Sequence, residues 1–155
     1  MWDDLRGKWA VERQQLQRLL EHYRPLLQKC ALNPPNDHEV SALAAMLHSF
    51  YNGVENIFKR IAAECYDRSP QGQAWHRELL DLMAKPGRTR RAAISQSLVE
   101  RLDAYLDFRH FFRHSYVFHL RWDRMKSLVL ECDETLKLLE YELDRFFAAG
   151  NESGQ

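Results

Sequence analysis

From Val40 onward, apolar side chains recur at steps of three and four: Val40, Leu43, Ala44, Leu47, Tyr51, Val54, Phe58 and Ile61. A stripe of that period, sustained for about six turns, commits this part of the chain to one long amphipathic helix. Asp37 stands where an N-cap belongs. A second series runs Ile94, Leu98, Leu102, Tyr105, Leu106, and a third Trp122, Met125, Val129, Cys132, Leu136, Leu139, Leu143, Phe146. The N-terminal stretch supplies Leu5, Trp9, Leu16, Leu19, Tyr23 and Leu26, with Pro25 close to its end. A shorter helix is predicted from Gln73 to Met83. The breaks between these segments are Asn33-Pro34-Pro35-Asn36-Asp37, Ser69-Pro70-Gln71-Gly72 and Lys85-Pro86-Gly87-Arg88. No segment alternates with period two between turn signals, so no strand is predicted. The fold class is therefore all-α. An antiparallel four-helix bundle with an additional short helix is the simplest way to bury four such stripes. One domain spans residues 1–149, and residues 150–155 read as a frayed tail. Gly53 falls inside the most regular stripe and predicts close approach of another backbone or a ligand there.

The 155 residues carry 22 Lys plus Arg against 22 Asp plus Glu, so no global field attracts nucleic acid or a membrane surface. A polyanion partner has to be met by a local cluster. An apolar fraction of 45% excludes a disordered chain. No apolar run approaches the roughly 20 residues that span a bilayer. Met1-Trp2-Asp3-Asp4 places acids where a signal peptide carries positive charge. Cys30, Cys65 and Cys132 are odd in number and far apart, which suits buried thiols of a reducing compartment rather than bridges or zinc ligands. The expectation is a cytoplasmic protein without a membrane partner.

The stretch that breaks bundle rules is Phe108-Arg109-His110-Phe111-Phe112-Arg113-His114-Ser115-Tyr116. Extending the stripe Leu98, Leu102, Tyr105 by one turn lands on Arg109, and an inward arginine needs a carboxylate, a carbonyl or a ligand phosphate. Either it is a structural ion pair with Glu55 or Asp107, or it holds a phosphate. His110 and His114 stand one turn apart on one face. Their spacing would suit a metal, but no HExxH pattern or third ligand accompanies them, so no metal and no cofactor are predicted. Four aromatics crowd these turns, as a helix covered on more than one side by a subunit interface requires. Arg113, one turn from Arg109, is either a second phosphate holder or a solvated charge. Lys85, Arg88, Arg90 and Arg91 form a cluster without an acid, either an RNA-backbone loop or a solvated approach to a helix. Glu55 and Tyr51 share a helix face from which they could orient Arg109. His48, His76 and His119 offer no such spacing.

Arg109, four residues, His114, one residue and Tyr116 together resemble the R-x4-H-x-Y signature of the HEPN superfamily, and of its HepT-like ribonuclease toxins in particular. Asp103-Ala104-Tyr105-Leu106-Asp107, Trp122-Asp123-Arg124-Met125-Lys126 and the helix from Phe50 to Ala62 resemble that group too, so the similarity covers about residues 40 to 147. The resemblance implies a four-helix bundle that forms a homodimer and brings two motifs into one cleft. It implies a metal-independent endoribonuclease, the toxin of a type VII-like toxin–antitoxin pair acting on an RNA such as tRNA or mRNA. It also implies a nucleotidyltransferase antitoxin that transfers AMP onto the motif tyrosine, here Tyr116. Many members carry a polar residue, often Asn, directly after the motif arginine, where this chain has His110. The residue types suit attack by the RNA's 2′-hydroxyl: His114 as general base or acid, Arg109 as the clamp on the charged phosphorane. His110 or a second copy's His114 would carry the other proton. Two other readings are a non-catalytic HEPN bundle that binds a nucleotide or partner protein, and a metal-binding bundle built on His110 and His114.

Overall fold

The structure, a computed structural model, describes residues 1–88 and 91–153. Among these it is helical, with no strand: α1 (Trp2–His22), α2 (Arg24–Leu32), α3 (Asp37–Cys65), α4 (Trp75–Leu82), α5 (Gln96–Arg113), a 3-10 turn at Val117–His119, α6 (Trp122–Leu130) and α7 (Cys132–Ser153). They assemble as four rods, α1 continued by α2, then α3, then α5, then α6 continued by α7. Contacts run from α1 to α3, α3 to α5, α5 to α7 and α7 back to α1, which closes the bundle, and α4 packs on both α3 and α5. The all-α expectation is met.

The three proline- and glycine-bearing breaks fall between helices as read, but several boundaries differ. Asn36, not Asp37, caps α3: its side chain accepts from Glu39 N at 2.9 Å, and the Glu39 carboxylate accepts from Asn36 N at 3.0 Å. Pro34-Pro35 favours extended backbone up to Asn36, and this reciprocal box satisfies two orphan donors there. Asp37 becomes the first helical residue, where its charge suits the helix dipole. The N-terminal stretch divides into α1 and α2 at Tyr23, close to Pro25 as expected: the proline lacks the N–H that would have continued α1 and sits in the first turn of α2. The stripe from Trp122 to Phe146 is likewise two helices, broken at Glu131. Glu131 N still bonds Ser127 O, and Thr135 N bonds Glu131 O, so the apolar register crosses the break. Buried Thr135 and Tyr105 satisfy the carbonyls there: Thr135 Oγ1 donates to Glu131 O at 2.8 Å and Tyr105 OH to Leu128 O at 2.7 Å.

Gly53 does mark a close approach, though by a side chain of α1 rather than by a backbone or ligand. A Cβ at Gly53 would stand 2.6 Å from Leu16 Cδ2. Gly150, where the sequence reads a tail, is buried inside α7 against the indole of Trp2. Cys30, Cys65 and Cys132 are buried free thiols. No helix among the described residues is long and apolar enough to cross a membrane.

Candidate active site

The site is built where α5 runs out of apolar stripe. Leu98, Leu102 and Tyr105 are buried, and Arg109 follows one turn later, half-buried, still facing α3. Its Nε donates to Asn52 Oδ1 at 2.7 Å. Neither of the expected carboxylates meets it. Glu55 is one turn further along α3 and pairs with His76 Nδ1 at 2.6 Å, and Asp107 lies on the outer side of α5, where Arg77 takes it at 2.7 Å. Arg77 also pairs with Asp103. The guanidinium is thus held by a neutral amide, and no acid among the described residues compensates its charge.

Asn52 is itself oriented. Arginine only donates, so the amide oxygen faces it and the amide nitrogen faces His48 Nδ1, at 3.4 Å. That arrangement needs a neutral imidazole with a free Nδ1 lone pair. Burial, then the charges of Arg109 and Arg113, hold His48 below the ordinary histidine range, which favours that neutral form. The His48 ring lies 5.3 Å from that of Phe112. The result is a chain from Arg109 through Asn52 to His48 that fixes the guanidinium on the face of α3.

Tyr51 and Glu55 do not orient Arg109, contrary to the sequence expectation. Tyr51 is fully buried and its hydroxyl has no hydrogen-bond partner among the described residues. Burial, then the Glu55 charge, push its ionisation well above the ordinary tyrosine range, so it stays a neutral phenol. Glu55, 3% exposed, spends its charge on His76 across the α3–α4 interface.

The rest of the motif faces outward. His114 is the C-cap of α5, exposed, with its ring 4.7 Å from that of His110 one turn back. Arg113 is exposed beside them. Past the cap the chain leaves helical geometry. Tyr116, 70% exposed, lies nearly parallel to Phe118 at 5.2 Å and 6° and meets His119 edge-on at 6.2 Å. The structure therefore brings His110 to His114, and Arg109 to Asn52 and His48, but shows no contact between the two groups within one chain. No group of three or more His, Cys, Asp or Glu that could hold a metal ion occurs among the described residues.

Lys85, Arg88 and Arg91 lie before α5, at the end opposite Arg109. At about 1.5 Å per residue, the helix separates them from it by about 20 Å. Arg88 pairs with Asp67 at 3.1 Å, and Arg90 lies outside the described residues. Sequence reading missed Asn52, His48 and His76. The first two were in principle visible, because 48 and 52 stand one turn apart on the same helix as Tyr51 and Glu55. His76 had no such signal.

An all-α bundle with Arg109 in the last turns of its fifth helix, His114 at that helix's C-cap and Tyr116 just beyond carries the arrangement of the HEPN class. A family model described as HepT-like protein matches residues 42–149, from α3 through most of α7, and the chain belongs to that family. No curated protein and no solved structure matches it.

Proposed function

We propose that this chain is the toxin of a toxin–antitoxin pair and a metal-independent endoribonuclease. The observation that carries this reading is the state of Arg109: a half-buried guanidinium, aimed by a neutral amide and left with its charge uncompensated, close in sequence to a solvent-facing histidine pair. That cation suits the equatorial oxygens of a pentacoordinate phosphorus, where charge accumulates in the transition state. His114 takes the proton of the 2′-hydroxyl, whose oxygen attacks phosphorus while the bond to the 5′-oxygen breaks. A second imidazole protonates the leaving oxygen, giving a 2′,3′-cyclic phosphate and a 5′-hydroxyl. In a homodimer the second imidazole is the other copy's His114; within one chain His110 is the nearest candidate. A two-fold assembly would also set the outward His114 of one copy against the Arg109 end of the other, which one chain alone does not achieve. Tyr116, exposed two residues beyond His114, is open to AMP transfer by a nucleotidyltransferase antitoxin, and the added phosphate would lie where substrate charge is needed.

A defined RNA incubated with the chain in EDTA tests this reading. Cleavage should yield cyclic-phosphate ends, follow a bell-shaped pH profile, and disappear with Arg109→Ala and His114→Ala. Co-expression with the antitoxin should add the mass of AMP to Tyr116, and Tyr116→Phe should escape neutralisation. The separation of Arg109 from His114 within one chain favours the second reading, a non-catalytic bundle binding a nucleotide or partner, for which no cleavage exists to be abolished. Lys85, Arg88, Arg90 and Arg91, at the far end of α5, would serve an outlying segment of the RNA backbone rather than the scissile phosphate.

A further inference from the structure

Between Arg109 and Lys126 the chain departs from its overall charge balance. The stretch holds five cations, Arg109, Arg113, Arg121, Arg124 and Lys126, against the single acid Asp123. It folds around a groove of about 750 Å³ between the last turns of α5 and α6, whose walls include Phe108, Phe111, Phe118, His119, Arg121 and Arg124. Asp107 is the acid that lines it, and Arg77 occupies that carboxylate. Arg121 and Arg124 are exposed and have no acid partner among the described residues. Phe118 is 75% exposed although it is stacked on Tyr116, and Phe111 is 41% exposed. Flat rings open to water beside uncompensated guanidinium groups suit a ligand that offers a π face and negative charge at once.

We propose that this groove seats a single-stranded stretch of nucleic acid, with one base on the Tyr116–Phe118 ring stack and its flanking phosphates on Arg121 and Arg124. The proposal rests on the ribonuclease reading for its substrate and adds where that substrate lies. The groove's size is that of a nucleotide-scale ligand site. A second copy of the chain is the poorer occupant. Closed two-fold on itself, the groove would gather four uncompensated guanidinium groups in one contact, and among the described residues its lining offers no acid besides the Asp107 that Arg77 already holds. A duplex is poorer as well, since its base faces are already stacked. The seat also gives Tyr116 a second consequence: a nucleotide attached there would lie on the same ring platform and exclude the incoming base.

The test uses the full chain and a short fluorescein-labelled single-stranded RNA, 2′-O-methylated throughout so that it cannot be cut, titrated by fluorescence anisotropy at several salt concentrations. Phe118→Ala should weaken binding about tenfold, the loss of one base stack, and Phe118→Tyr should restore it. Arg121→Gln with Arg124→Gln should lower the salt-dependence slope by about 1.4, two single-strand phosphate contacts. The same sequence as a duplex should bind more weakly. These side chains are exposed, and a melting curve for each variant verifies the fold. The proposal is overturned by no binding, by affinity and salt slope that ignore these substitutions, by equal binding of the duplex, or by Phe118→Ala splitting a dimer in sedimentation. Cleavage of unmodified RNA is measured separately. A chain that binds through Phe118, Arg121 and Arg124 without cutting keeps the groove and loses the nuclease. One that cuts while these residues leave binding unmoved loses the groove alone.

Discussion

Replacing Asn52 by aspartate changes one uncharged contact of Arg109 into an ion pair with almost no change of shape. The amide oxygen already stands 2.7 Å from Arg109 Nε, so a carboxylate oxygen inherits the geometry. Two unit charges about 4 Å apart attract by about 1 kcal/mol in bulk water and about 4 kcal/mol near a protein surface. For a half-buried arginine a middle value of about 2 kcal/mol is reasonable once solvent screening is allowed for. The hydrogen bond it replaces, the lost amide donor to His48 Nδ1 and the added desolvation take back about half, leaving a gain in fold stability of about 1 kcal/mol. In a chain of this size that raises the melting temperature by about 2–4 °C. The same attraction now opposes any phosphate seeking the guanidinium, and about 2 kcal/mol of competition corresponds to a loss of about thirtyfold in kcat/KM on RNA. Asn52→Asp is thus expected to be more stable and less active at once, which thermal melts and initial cleavage rates measure directly. Full activity, or a loss of stability alongside the loss of activity, would show that the uncompensated charge of Arg109 is not what matters.

Three further outcomes follow from the packing. Tyr105→Phe removes the donor that satisfies Leu128 O at the α6–α7 break and should cost about 1–3 kcal/mol in urea unfolding; a neutral variant would mean the break needs no such donor. His48 is held below the ordinary histidine range, so between its folded value and about 6.5 the unfolded chain binds more protons than the folded one. Its contribution to stability is therefore complete near neutrality and lost on acidification through that window, and His48→Gln should flatten urea-derived stability between about pH 5 and pH 7. The lowered carboxyls Asp133 and Glu39 act below that range and leave it undisturbed. Gly87→Ala would bring a Cβ to 2.8 Å from Cys65 O, a backbone atom with little room to move. It should cost about 1–3 kcal/mol by overpacking while leaving cleavage at the distant Arg109 end unchanged, whereas a parallel loss of kcat would tie the basic loop to the chemistry.

Sequence and structure diverge mainly at the ends of elements. Helical stripes were legible because a period of three to four residues is a local property, and each stripe needs only its own residues to be recognised. The divisions of the long rods were not, since Glu131 interrupts the helix without interrupting the apolar register. Asn36 and Asp37 are both good caps by residue type, and only the reciprocal bond with Glu39 separates them. At the site, the spacing of Arg109, His114 and Tyr116 was readable as a motif. That Arg109 would turn inward followed from its place in the stripe, but its partner did not.

What the amino-acid sequence by itself determined is the all-α class, the stripes that pack, the free cysteines without bridging partners, and the motif that marks a HepT-like protein. Periodicity and motif spacing run along the chain and do not depend on how helices meet. Tertiary structure alone decided that Arg109 reaches Asn52 rather than Glu55 or Asp107, that Glu55 spends its charge on His76, and that Phe118, Arg121 and Arg124 share one groove. Those pairings depend on the rotation and axial offset of one helix against another. A single residue of offset exchanges Asn52 for its neighbours, and no pattern within either helix records that offset.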